Sequence, residues 1–111
     1  MRLERFGGSI VRICEKLPST RSGRHLQDQL LRSGTAVGAH YSEAQGAQSR
    51  KDFIYKLSLS LKEAREARYW LGVAEHAEFV PYEEADLAAL RDESTQIVAI
   101  LQSSKTTTQG A

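Results

Sequence analysis

This chain has little punctuation and almost no sulfur chemistry. Its 111 residues include one cysteine, two prolines and eight glycines. A lone cysteine rules out an intrachain disulfide, and nothing else argues for an oxidising compartment. Cys14 falls on the apolar side of the first segment, between Ile13 and Leu17. It reads as a small buried hydrophobe. A reactive thiol needs a base or cations beside it, and the sequence compels none. So few prolines and glycines exclude a chain of many short strands, which needs more turn residues. No run of about 20 apolar residues is present, so no membrane span is expected. The opening Met1-Arg2-Leu3-Glu4-Arg5 lacks the apolar stretch and cleavage pattern of a secretory signal, which leaves the cytoplasm as the expected location. Also missing are a glycine-rich phosphate loop, a Gly-x-Ser-x-Gly elbow, a His-Glu-x-x-His pair and a paired-cysteine motif. Ser58 and Ser60 have no histidine base near them in sequence. The reading is of a protein that is not an enzyme and has no cofactor.

Excess charge of one sign is absent too, with a net charge of +1. The balance hides a split. Residues 1–56 carry ten Lys/Arg against five Asp/Glu, and residues 57–111 carry five against nine. Such a division serves either packing between oppositely charged helices or steering of a partner.

What is present is helical periodicity in four segments. Leu3, Phe6, Ile10, Ile13, Cys14 and Leu17 recur along residues 3–17, ended by Pro18. A second segment runs over residues 23–44 with Ser22 as its expected N-cap. Its stripe is Leu26, Leu30, Val37 and Tyr41, widened by Leu31. Gly34, Ala36, Gly38 and Ala39 make its second half narrow, at a propensity cost of about 1 kcal/mol per glycine against alanine. That implies either a neighbouring helix that tolerates only small side chains or a local irregularity at Gly34 or Gly38. The third segment, residues 50–76, starts at a capping Ser49 with Asp52 three residues on. Phe53, Leu57, Leu61, Ala64, Leu71 and Ala74 form its inner stripe. Ile54, Leu59, Tyr69, Trp70 and Val73 fall partly outside it, so this helix touches several neighbours or meets another subunit. The fourth, residues 82–103, starts after Pro81, with Glu83, Glu84 and Asp86 in its first turns. Four such segments with short links predict an all-α, up-down-up-down antiparallel four-helix bundle over residues 1–103. Residues 104–111 have little to bury and read as a disordered tail.

The blocks QLLRSGTAVGAHYSEA (residues 29–44), SRKDFIYKL (residues 49–57) and LKEAREARYWL (residues 61–71) resemble a bacterial four-helix-bundle family. It is labelled "S23 ribosomal protein" and was first met as reading frames inside intervening sequences of 23S rRNA genes. The resemblance spans nearly all of residues 3–101. It implies an up-down bundle assembled as a homopentamer. A related group is the accessory protein of diversity-generating retroelements, which has a basic surface and associates with a reverse transcriptase and nucleic acid. This chain departs from the family in having His40 where Asn is usual and Ser42 where Arg is frequent.

Several residues merit a functional reading beside a structural one. His40 and Glu43 share a helix face, and with Glu63 or Glu66 they contain ligand types for a metal. However, a di-metal bundle carries two Glu-x-x-His motifs, and this chain has none. No metal is expected. Glu66 is placed to reach Lys62, and Glu63 to meet Arg32 from the second helix, either as a polar network fixing an interface or as a solvated face. Tyr69 and Trp70 suit packing or subunit contact more than base stacking. Arg2, Arg5, Arg12 and Lys16 form a basic set on the first helix, available to nucleic acid or merely to solvent. The expected partners are copies of the same chain and an unidentified protein, with RNA or DNA as the alternative.

Overall fold

A computed structural model of the chain describes residues 1–79 and 86–110. Its elements are α1 (Arg2–Lys16), α2 (Arg21–Gln45), α3 (Arg50–His76) and α4 (Asp86–Gly110). Each helix packs on its neighbours in sequence, and α4 returns to α1; α1 and α4 touch least. Among the described residues no diagonal pair touches, so the four helices stand as a square bundle 45 Å long. No helix of the described residues is long and apolar enough to cross a membrane.

The apolar stripes meet on the bundle axis as their spacing predicts. Phe6, Ile10, Leu30, Val37, Leu57, Leu61, Leu71 and Ile97 are almost wholly withdrawn from solvent. Burying each large aliphatic or aromatic side chain contributes about 1.5–3 kcal/mol. The small residues of α2 have a direct cause. A Cβ built on Gly34 would lie 2.6 Å from Ile10 Cγ1, so α1 rests on bare backbone there. A Cβ on Gly38 would sit 3.4 Å from that of Leu3. Helix α2 runs unbroken through both positions, which excludes the local irregularity. Leu31 does not widen the buried face; it is exposed.

The ends of the helices differ from expectation in three places. Helix α2 is capped by Thr20, not Ser22: extended backbone at Thr20 lets its Oγ1 accept the Gly23 N–H at 3.1 Å. Gly23 is then clamped under Pro18, whose carbonyl oxygen would lie 1.9 Å from any Cβ. At α3, Ser49 caps as predicted by accepting the Asp52 N–H at 3.0 Å. Asp52 reaches back to the N–H of Gln48, one residue outside a standard capping box. Residues 104–110 are helical where a disordered tail was expected. Their exposed carbonyls are met from α3: Arg50 Nε donates to the Thr108 carbonyl at 3.1 Å, and Nη2 also reaches that of Gln109. A cation at a helix C-terminus offsets its dipole and its unpaired carbonyls. The start proposed for the fourth helix, with Pro81, Glu83 and Glu84, lies outside the described residues.

Gly34→Ala should destabilise the fold by about 1–3 kcal/mol through overpacking. Shortening the opposing residue, Ile10→Val, should recover part of that loss in the same background. Urea unfolding of the two single variants and the double variant measures both terms.

Candidate polar seam and basic groove

Two surfaces collect the polar candidates. The first lies between α2 and α3. Ser60 Oγ donates to the Val37 carbonyl at 2.7 Å across the interior, which sets the antiparallel register of the two helices. That register brings Arg32 opposite the Glu63–Glu66 turn. Arg32 Nη1 donates to Glu63 Oε2 at 3.0 Å, and Nη2 binds Glu66 Oε2. Glu63 is buried, whereas the Arg32 side chain remains 51% exposed. One guanidinium therefore serves two carboxylates, in the planar fork geometry that arginine provides. Glu66 takes Arg32 in place of the expected Lys62, and it also accepts the Trp70 indole N–H at 3.3 Å. Around the indole, His25 approaches edge-on at 5.7 Å and Tyr69 at 5.0 Å with a 73° interplanar angle. Trp70 is half-buried against the core, and Tyr69 is exposed.

His40 and Glu43 do not join this seam. They lie two to three turns along α2 from Arg32, roughly 12–16 Å away at helical rise. Glu43 is exposed, and its carboxylate makes no hydrogen bond or ion pair among the described residues. His40 is half-buried, and its Nδ1 is buried with no hydrogen-bond partner. No group of three His, Cys, Asp or Glu side chains among the described residues can hold a metal ion. Cys14 is buried, its Sγ 3.8 Å from the Gln27 carbonyl, and burial pushes the thiol pKa up to about 11. The thiolate needed for reactivity is thereby disfavoured.

The second surface is a groove of about 520 Å³ between α1 and α4. Arg5, Arg12, Ser9 and Lys16 form its α1 wall, Asp86 and Glu93 its α4 wall, and Phe6, Ile13 and Leu90 its apolar floor. The basic set of α1 divides here. Arg2 donates twice to Glu93, at 2.8 and 2.7 Å, and Lys16 pairs with Asp86 at 3.1 Å. Both tie α1 to α4. Arg12 makes no ion pair among the described residues and donates to Ser9 Oγ at 3.0 Å. The hydrogen bond from Arg2 holds the Glu93 carboxyl below its ordinary pKa, with help from the charges of Arg2 and Arg5.

Sequence reasoning missed His25, which sits seven residues before Arg32 on the same side of α2, and Arg50, whose partners are 58 and 59 residues away. The helical spacing of His25 and Arg32 was a signal for the first. No local signal marks the second.

These features define a class: a small four-helix bundle with a polar-aromatic seam between α2 and α3. The chain belongs to the 23S rRNA-intervening sequence protein family, which matches it over residues 2–103. It is also similar to a crystal structure of a protein of unknown function, from the S23 ribosomal protein family of Bacteroides thetaiotaomicron VPI-5482. The two share 37% identity and a TM-score of 0.82, over 92% of this chain and 93% of that one. Among curated proteins, none matches.

Replacing Arg32 by Met strands the buried Glu63 carboxylate, and should cost about 1–3 kcal/mol in chemical denaturation. In a Glu63→Gln, Glu66→Gln background the same replacement should cost clearly less. The Arg2–Glu93 bond has a pH signature. Because the folded carboxyl has the lower pKa, its contribution is full above the ordinary carboxylate range and is lost as pH falls through the folded value. Wild type should therefore be more stable than Arg2→Met at neutral pH, and the gap should close in acid, as read by thermal unfolding across a pH series.

Proposed function

We propose that this protein is a non-catalytic helical bundle that associates with copies of itself, expected as a closed ring of five, and acts as a scaffold for a protein partner. The observation that carries this reading is the outward face of α3. Tyr55 and Tyr69 are 61% and 62% exposed, and Leu59 and Val73 are only partly covered. These positions lie on one side of a helix whose opposite side already fills the core. Exposed aromatic side chains spaced along one helix face, Tyr69 beside a charged cluster, suit a contact surface. The family resemblance supplies the expected number of subunits.

A second reading, a nucleic-acid-binding accessory factor like the retroelement relatives, is favoured by Arg5 and Arg12 on the groove wall. Ring assembly would repeat that modest patch around a common axis. It is weakened by the ion pairs that already occupy Arg2 and Lys16.

Light scattering at micromolar concentration should give the mass of a closed oligomer, and a clean monomer would refute self-association. Tyr69→Ala should raise the dissociation constant of assembly about tenfold or more while leaving helix content unchanged. For the second reading, binding to mixed RNA and DNA should weaken steeply as salt rises. An absence of binding at low salt would exclude it.

A further inference from the structure

We propose that the end of the bundle beyond the start of α1 is a docking site for one short amphipathic helix of a partner protein, lying in line with α1 and apolar on its contact face. This rests on the partner half of the scaffold reading, not on self-association, and adds the surface and the kind of segment it takes.

Unequal helix lengths carry the inference. Helix α1 has 15 residues, whereas α2, α3 and α4 have 25, 27 and 25. Leu3 lies against Gly38, and Arg2 bonds Glu93 and Gln96, which fixes the level at which α1 begins. Helix α2 runs on to Gln45 and α4 to Gly110, roughly 10 and 20 Å farther at helical rise. Over that stretch three corners of the square are filled, and the fourth holds no described residue.

The stripes that receive α1 continue past it. On α2, Gly34 and Gly38 are followed at helical spacing by Tyr41 and Gln45. On α4, Glu93 and Ile97 are followed by Ile100 and Ser104. With Leu3 and Leu101 these residues line a hollow of about 290 Å³. Ile100 is 47% exposed, and Met1, on the same hollow, 60%. Two parallel helical stripes with an apolar floor between them are the seat of a third helix.

The lining sets the chemistry of the occupant. Among its side chains Arg2 alone is charged, and Glu93 holds it. A charged contact face would lose hydration there without gaining a partner. The start of α1 sets the direction. Its N-cap, Met1, offers no side chain to the first N–H groups. The C-terminal carbonyls of a helix in line with α1 complement those donors, and the two dipoles then run head to tail. A second copy suits the hollow poorly. The apolar stripes of its helices lie in its own core, and the outward face of α3 carries exposed Lys62 and Arg65 beside Tyr69. The lining has no carboxylate to meet them.

The test uses the full chain and a synthetic, fluorescently labelled peptide of about three turns, held helical by a side-chain staple. One face bears leucines at i, i+3 and i+7, and the other bears lysine–glutamate pairs. By anisotropy it should bind wild type with a dissociation constant of about 1–100 μM. Ile100→Asp, which charges the floor, and Ser104→Trp, which fills the hollow, should each weaken binding at least tenfold. Leu31→Asp, at an exposed apolar position of α2 away from the hollow, should leave it unchanged. Circular dichroism verifies that each variant folds. A stapled peptide of the same residues with its leucines scattered around the helix should bind at least tenfold more weakly. No saturable binding to wild type, equal binding of the two peptides, or binding indifferent to both hollow variants overturns the site. Light scattering without peptide reads self-association separately. If Ile100→Asp lowers the mass of an assembled wild type, a second copy fills the hollow and the partner helix is overturned.

Discussion

The seating of Ile10 on the bare backbone of Gly34 is the contact from which much of the bundle follows. A branched side chain pressed on a helix with no Cβ brings α1 closer to α2 than any larger residue allows. That proximity withdraws Ile10 completely from solvent and sets where the N-terminal half of α1 lies. Arg2 is thereby delivered to Glu93 and Lys16 to Asp86, so the loosest edge of the square is tied by charge at both ends of α1. Two pairs of this kind at the protein surface stabilise weakly. Their larger effect is to orient α1, which shapes the groove.

Opposite that groove, α3 carries two roles on one helix. Its inner side is built from Leu57, Leu61, Ala64, Ala67 and Leu71, where alanines let neighbouring helices close in. Its outer side carries Tyr55, Tyr69 and partly covered apolar residues beside the Arg32–Glu63–Glu66 cluster. A buried carboxylate held by a half-exposed arginine adds little net stability, yet it fixes the lateral register of α2 against α3. It also holds Glu66 and the Trp70 ring in one arrangement, and pre-ordering of this kind would lower the entropic cost of the proposed association.

Helix positions were legible because each follows from periodicity within one segment. Residues 50–76 match α3 to the residue, since Ser49 and the stripe behind it are local signals. The pairing of Arg32 with Glu63 was legible in residue type and side of the helix. The sharing of Glu66 was not, because it depends on the axial register that Ser60 and Val37 set across the interface. The helical state of residues 104–110 was misread for the same reason. Their composition has nothing to bury, and the arginine that meets their carbonyls is 58 residues away.

The sequence by itself determined four amphipathic helices, their order and antiparallel sense, most residues of the core and the membership of a family. Each of these is written in local spacing, capping or short blocks of residues. Only the tertiary structure decided which cations are already spent on α4, which remain on the groove wall, and which carboxylates share one guanidinium. Those outcomes depend on distances between helices, and a distance between helices is set by the smallest side chains at their crossings.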